Sequence, residues 1–444
     1  MADQLYFSRD TKVFIEIGTS IWEMPVLDGF SFSQATNASE VTLSEMSGTG
    51  GSSRRGRRMF TDSFAPAEWS FSTYMRPFTS VGAANAGAQL TGKFASETDG
   101  DHHGVEEVLW AMLAGPGYYD AATDEFKSAS GGTVYIAHNG TSGDIDFAQS
   151  NKSTLGTANI YFAMGGSSDT KTVYKIADCV VNEAAADFDI DGIATINWSG
   201  MGSIISDEGA SVPVATITEG TTATNNFIRN RLTTLTAAKY PTTTLTIGAV
   251  ASGVVQAVEG TRYKISVVGD TNWADIGAVG TPAVGLEFTA NSTAATGTTG
   301  KAFKESQYGL VLTGGNITIS NNISYLTPEE LGRVNQPIEH VTGTRTVTGS
   351  FTCYLGSSDA ATNKSKNLFE DLVQDTETVI NEFELKFDVG GTTGTPRLEF
   401  AIDRCHLEIP SHSIDDVISL ETNFHGLGSS IGEADEITIK YVGA

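Results

Sequence analysis

The sequence predicts a mainly β protein with few helices: two tandem β-sandwich or barrel domains, each with one packed α-helix, plus a small inserted β module. Three observations predict it. Of the 444 residues 40% are apolar and only 18% charged, with 48 glycines, which is the balance of turn-rich sheet rather than of helical bundles. The chain also repeats itself at long range, the first thing to seek in a sequence of this length. Finally, the stretch from about Ala238 to Ser306 has no counterpart in the other half.

In chain order, Phe30-Ser31-Phe32-Ser33 matches Ile317-Thr318-Ile319-Ser320. Next, Ser70-Phe71-Ser72-Thr73-Tyr74 matches Ser350-Phe351-Thr352-Cys353-Tyr354, two alternating strands that equate Tyr74 with Tyr354. A helix follows each, since Val105 to Leu113 and the shorter Asn367 to Val373 carry apolar residues at helical spacing. Last, the run from Cys179 to Asn197-Trp198-Ser199-Gly200-Met201-Gly202-Ser203 matches that from Cys405 to Asn423-Phe424-His425-Gly426-Leu427-Gly428-Ser429. This alignment equates Cys179 with Cys405, Trp198 with Phe424, Gly200 with Gly426 and Gly202 with Gly428.

The domains expected are therefore residues 1–210, then 211–237 with 307–444, interrupted by a module at 238–306. Within the module Tyr263 to Val268 and Leu286 to Thr289 read as strands between glycine-rich turns, and Ala294 to Gly300 as a flexible or exposed turn. An insertion is best tolerated on a solvent-facing surface.

Charge narrows the function. Lys plus Arg number 27 against 53 Asp plus Glu, a net −26, which repels phosphate and disfavours tight nucleic-acid binding. No apolar run reaches the ~18 residues of a membrane span, and Asp3, Arg9, Asp10 and Lys12 stand where an export signal needs an apolar core. Assembly in the cytoplasm, away from membranes, is the expectation. Three cysteines, odd in number and without CxxC spacing, speak against a disulfide framework or zinc cage.

Short motifs yield no catalytic residue, metal ligand or cofactor site. Asp187-Phe188-Asp189-Ile190-Asp191-Gly192 begins like a calcium loop, but Trp198 stands where the bidentate glutamate is required. His102-His103 near Asp99 and Asp101, and His406, His412 and His425 near Glu408, do not supply a converging set of three or four ligands. Ser411, His412 and Asp415 lack a nucleophile elbow. Gly48 to Ser53 lacks the P-loop lysine, and the sequons at Asn139, Asn197 and Asn316 are those of any Ser/Thr-rich chain. The glycine run does lead into Arg54-Arg55-Gly56-Arg57-Arg58, four cations on a loop in a strongly acidic chain. An acidic surface of another copy is the partner they suit.

With these residues in place, the chain resembles the tail-tube (major tail) proteins of long flexible-tailed bacteriophages, of the duplicated T-five-like type. The resemblance rests on Arg54 to Phe78, including Asp62-Ser63 and Ala67-Glu68-Trp69-Ser70; on Trp198-Ser199-Gly200; on Ile228 to Thr233; and on Ile319 to Pro328 with Arg333-Val334-Asn335.

This resemblance implies a structural, non-enzymatic virion protein. Three chains, each with two equivalent halves, would form a pseudo-hexameric ring, with about four strands per half closing a barrel of roughly 24 strands around a channel. Stacked rings would make a conduit for double-stranded DNA during ejection, assembled around a tape-measure protein and joined to tail terminator and distal tail or baseplate proteins. The expected lumen is acidic. The loop from about Val41 to Ala67 is implied as an inter-ring contact, with Arg54, Arg55, Arg57, Arg58, Asp62 and Trp69 as its candidate residues. In a relative of this type an immunoglobulin-like domain follows the second half; here the inserted module is the expected decoration. The rival readings are a secreted or surface β-rich adhesin and a carbohydrate-active enzyme, whose paired carboxylates the sequence does not single out.

Overall fold

The computed structural model of the chain describes residues 5–42, 57–80, 101–115, 117–121, 123, 125–128, 132–138, 143–147, 155–166, 170–217, 227–239, 244–293, 295–331, 334–357, 363–374, 383–391, 395–414 and 416–442. It is mainly β, as the composition predicts, with two α-helices among the described residues.

The first half opens with the hairpin β1 (Lys12–Ile17) and β2 (Ser20–Met24), then the long pair β3 (Ser31–Thr42) and β4 (Arg57–Tyr74). The short strands β5 (Pro77–Ser80) and β6 (Asp101–Gly104) lead to helix α1 (Glu107–Ala114). A meander follows: β7 (Tyr118–Asp120), β8 (Glu125–Lys127), β9 (Val134–His138) and β10 (Gly143–Asp146). Then come β11 (Ala158–Met164), the long β12 (Thr172–Asp189), β13 (Thr195–Gly202) and β14 (Ile205–Asp207).

The second half starts with β15 (Thr234–Lys239) and departs into β16 (Leu245–Thr246), β17 (Arg262–Val267), β18 (Glu287–Thr289) and β19 (Lys301–Lys304). It returns through β20 (Ser306–Gly309), β21 (Leu312–Ser320), the hairpin β22 (Ser324–Leu326) and β23 (Glu339–Val341), and β24 (Thr346–Tyr354). Strand β25 (Asn363–Lys364) enters helix α2 (Ser365–Gln374), and β26 (Phe383–Val389), β27 (Arg397–Leu407), β28 (Ser411–Ile414), β29 (Ile418–Gly426) and β30 (Thr438–Val442) complete the chain.

One pairing order occurs twice. In the first half β3 pairs with β4, β4 with β13, and β13 with the C-terminal part of β12. In the second, β21 pairs with β24, β24 with β29, and β29 with β27 and β28. Behind these, β2-β1-β11-β12 is matched by β20-β15-β26-β27. Even an irregularity coincides: the ladder slips between Ala158 and Ile160 opposite Cys179 and Ile176, and again between Phe383 and Leu385 opposite Cys405 and Ile402. A bulge at matching places is a built feature of the unit. The long strand differs, because Pro410 lies between β27 and β28 where β12 runs unbroken, and proline cannot donate to a ladder.

The ladders correct part of the residue matching. Trp69 faces Gly200 whereas Gly349 faces Phe424, and Phe71 faces Trp198 whereas Phe351 faces Thr422. On the other side, Val181 faces Gly200 and Leu407 faces Phe424. The counterpart of Gly200 is thus Phe424, and that of Gly202 is Gly426, two residues away from the alignment of Trp198 with Phe424, Gly200 with Gly426 and Gly202 with Gly428. Likewise Phe32 faces Trp69 as Ile317 faces Gly349. A slip of two keeps every side chain on its own face, so alternation could not reveal it. Tyr74 with Tyr354 and Cys179 with Cys405 hold matching places.

The halves are joined in one sheet by β12 and β21, antiparallel from Glu183 opposite Ser320 to Asp189 opposite Gly314. They interlock again where β10, from the first half, pairs with β30. Helix α1 fills the space behind, buried along its whole length. Its Trp110 meets Trp198 edge-on at 4.8 Å and Phe400 at 6.3 Å, and donates to the Tyr441 hydroxyl at 2.7 Å. Helix α2 is amphipathic, burying Leu368 and Leu372 one turn apart.

The inserted strands replace a turn. Gly18, at φ +63°, and Thr19 close the β1–β2 hairpin, whereas residues 240–305 fill the same place between β15 and β20. Those strands make a separate sheet, β16-β19-β17-β18, around Ile247, Tyr263, Ile265, Trp273, Ile276 and Phe288. Arg262 of this sheet reaches Glu305 at 3.3 Å and Glu384 of β26 at 3.5 Å, tying it to the second half.

Candidate functional site

Four strands from each half form a continuous surface, in the order β3-β4-β13-β12-β21-β24-β29-β28. One face packs on the core. The other is polar: Tyr74, Thr195, Asp187, Asn316, Ser350 and Asn423 stand opposite one another in a single row. Asn197 links strands within it, its amide donating to Asp187 at 3.1 Å and its carbonyl accepting from Ser72 at 2.6 Å. Ser31 and Ser70 share a hydroxyl hydrogen bond of 2.8 Å. Such cross-strand pairs stiffen the face.

The charge on this face has one sign. Its carboxylates are Glu68, Glu183, Asp187, Asp189 and Glu421, and the paired segments 31–34, 67–74, 183–189, 195–201, 314–320, 346–354, 411–414 and 419–425 contain no lysine or arginine. At its border Glu408, held below the usual carboxylate range by the Asn423 amide and the His425 ring, adds a further negative charge.

The three carboxylates at the end of β12 and in the turn after it act separately. Asp187 takes the Asn197 amide, Asp189 caps the Ile190 nitrogen at 2.6 Å, and Asp191 faces Arg231 at 3.6 Å in solvent. His406 and His425 are cross-strand neighbours, while His412 lies on the adjoining strand with its ring edge-on to Phe369 at 4.7 Å. Ser411 and His412, adjacent on one strand, point to opposite faces, and Asp415 lies outside the described residues. Burial pushes the thiols of Cys179, Cys353 and Cys405 up, Cys353 to about 11, so none is an activated nucleophile.

A buried cluster escaped sequence reading. His103 of β6, Glu107 of α1 and His138 of β9 bring three donor atoms within 4.8 Å of one another. The Glu107 carboxylate is 2.8 Å from His138 Nε2 and 3.3 Å from His103 Nδ1. Burial opposes its ionisation, but the two imidazoles outweigh burial and hold it well below the usual range. The rings stack at 3.8 Å with planes 24° apart, so their in-plane lone pairs run side by side and cannot meet at the ~2.1 Å of a metal–nitrogen bond. The geometry is that of a hydrogen-bonded triad. Beside it Glu106 accepts from the Tyr441 hydroxyl. The only clue in the sequence is the pair Glu106-Glu107 opening an otherwise apolar helix.

The residues assigned to the long loop divide. Arg54 and Arg55 lie outside the described residues, and Arg57 and Arg58 start β4, opposite Thr42 and Val41. There β3 and β4 form a projecting arm, bulged at Gln34/Thr36 and Asn37/Ala38, that leaves Met59 65% and Phe60 55% exposed. Asp62 accepts from Ser39, and its carbonyl accepts from the Asn335 nitrogen at 3.0 Å. Trp69 is buried and stacks on Phe71 at 5.1 Å, so it serves the subunit's own core. The segments carrying the resemblance meet in space: Phe64 donates to the Asn335 carbonyl at 2.9 Å, and Trp69 faces Gly200.

A duplicated β unit with one polar, acidic sheet face is the architecture expected of a structural protein of the phage tail-tube class. The chain is 26% identical, over 445 residues, to the "Tail tube protein pb6" of Escherichia phage T5, an alignment covering 97% of this chain and 75% of that relative. Similarity over nearly the full chain supports reading it as a T5-like tail tube protein. No family model matches the chain.

Proposed function

We propose that three chains close into a ring of pseudo-sixfold symmetry, that rings stack into a hollow tube, and that DNA passes along it during ejection. The polar sheet face lines the bore. The observation that carries this reading is that face: five carboxylates, hydroxyls and amides, and neither lysine nor arginine on its paired segments. A carboxylate ~4 Å from a phosphate costs about 1 kcal/mol in water, and salt screens the effect beyond ~8 Å. Such a wall repels DNA only on close approach, whereas a basic wall would release counterions and hold the duplex.

In this reading residues 1–210, and 211–237 with 307–444, are the two tube domains, and 238–306 is a module on the tube's outer surface. The arm with its arginines and the exposed Met59 and Phe60 contacts the next ring. Assembly takes place in the bacterial cytoplasm around a tape-measure protein, with terminator and distal tail proteins at the ends, and the chain has no enzymatic role. Negative-stain microscopy of the purified protein tests the core of this: hollow rods or rings are expected, and a protein that stays monomeric at high concentration and in the presence of tail partners would refute it.

A further inference from the structure

The chain contains its own template for the contact between subunits. Within the chain, the C-terminal part of β12 pairs with β21. The counterpart of β12 in the second half is β27 with β28, and the counterpart of β21 in the first half is β3. Among the described residues, β28 pairs only with β29 and β3 only with β4, so each presents the edge that its counterpart uses at the internal junction.

The β28 edge carries exposed apolar side chains. All residues of β28 are exposed, Ile414 by 77%, and Ile409 just before it by 63%. An open edge ending in aliphatic side chains, without lysine or proline within it, is what natural sheets avoid leaving uncovered.

We propose that β28 of one chain pairs antiparallel with β3 of a second copy, in the register set by the internal junction. This rests on the ring reading above and adds its residues. Ala185 opposite Thr318 translates to Ser411 opposite Ser33, and Asp187 opposite Asn316 to Ser413 opposite Ser31. On the core side, Phe188 opposite Gly315 translates to Ile414 opposite Phe30. Ile414 then covers itself against an aromatic ring that already stacks on Phe162 at 5.8 Å. On the bore side only serines meet, so the seam continues the polar, uncharged-to-acidic face without a break.

Disulfide trapping decides the register. Directly opposed residues have Cβ atoms ~4.5–5.5 Å apart and diagonal ones are ~7–8 Å apart, while a disulfide needs ~3.5–4.5 Å. The native cysteines are all buried and will stay silent. Rings of Ser33→Cys/Ser411→Cys and of Ser31→Cys/Ser413→Cys, mildly oxidised, should run as covalent dimers and trimers on non-reducing gels. Ser33→Cys/Ser413→Cys, two residues out of register, should cross-link several-fold more slowly. Rings seen by microscopy that cross-link best through the shifted pair, or through none of the three, overturn the register and leave the tube reading standing. Unsubstituted protein that forms no rings overturns both.

Discussion

Trp69 lies directly across the ladder from Gly200, and in the second half Gly349 lies across from Phe424. At the same place in the two units the large and the small residue have exchanged strands. A Cβ on Gly200 would run into the Trp69 ring and the Val180 carbonyl; one on Gly349 would come to 2.6 Å from the Phe424 ring, and also meet the Asn316 carbonyl. The row has room for one ring, and either strand can supply it, because packing fixes total volume more strictly than which side provides it.

Gly200→Ala and Gly349→Ala should therefore each destabilise the fold by about 1–3 kcal/mol, the cost of overpacking. Gly314→Ala is the control, since its Cβ would have only the Phe188 carbonyl oxygen nearby, at 3.6 Å. Urea midpoints at constant m-value measure the difference. Equal midpoints for all three variants would show that the rows are loosely packed.

This exchange also marks the limit of what could be read beforehand. Alternation in Ser70 to Tyr74 and in Ser350 to Tyr354 placed strands and faces correctly, because period-two patterns report burial. Register is another matter: it is set by partners across the ladder, and similarity of aromatic residues equates Trp198 with Phe424 although Thr422 is the residue in its place. Helix α1 was legible from its apolar spacing, but its buried Glu106 and Glu107 were not, since their partners Tyr441 and His138 lie far along the chain. The acidic total of the sequence was plain; that lysine and arginine are absent from one sheet face emerges only when strands from both halves are laid side by side.

The inserted module should be dispensable for folding. It has its own core and occupies a turn that two residues, Gly18 and Thr19, close in the first half. Replacing residues 240–305 by Gly-Thr should leave the strand signal of the remaining chain and its assembly intact by circular dichroism and microscopy. Loss of folding would mean that the ion pairs of Arg262 with Glu305 and Glu384 are part of the second half's framework.

Charge on the sheet face should govern DNA retention rather than assembly. Substituting Glu68, Glu183, Asp187, Asp189 and Glu421 by lysine should leave tubes visible but make them hold double-stranded DNA in a salt-dependent manner. Each phosphate neutralised contributes about −0.9 to the slope of log affinity against log salt. Unsubstituted tubes should show no retention; strong retention by them would remove the face from the bore.

Reversing Arg54, Arg55, Arg57 and Arg58 to glutamate should act at a different level. The arm projects from the sheet, so rings should still form while stacking fails, which sedimentation and microscopy distinguish. Tubes of normal length from this variant would exclude the arm as the contact between rings.

The pH dependence of stability should carry the signature of Glu106. This side chain is fully buried; burial pushes its carboxyl up to about 7, against the opposing pull of the Tyr441 hydroxyl and the Arg76 charge. One carboxyl oxygen has no hydrogen-bond partner among the described residues, so the neutral acid suits the site. With a folded value above the unfolded one of about 4.5, its contribution is fully present below pH ~4.5 and is lost as pH rises through ~7. Glu107 works in the opposite direction, its stabilisation being present at neutral pH and lost on acidification, so the raw profile mixes the two. Comparing Glu106→Gln with the unsubstituted protein isolates the first. The variant should gain roughly 3 kcal/mol relative to the parent between pH 4 and pH 8, the equivalent of the shift at 1.36 kcal/mol per unit. A difference that stays constant across that window would show that Glu106 titrates normally in the folded chain.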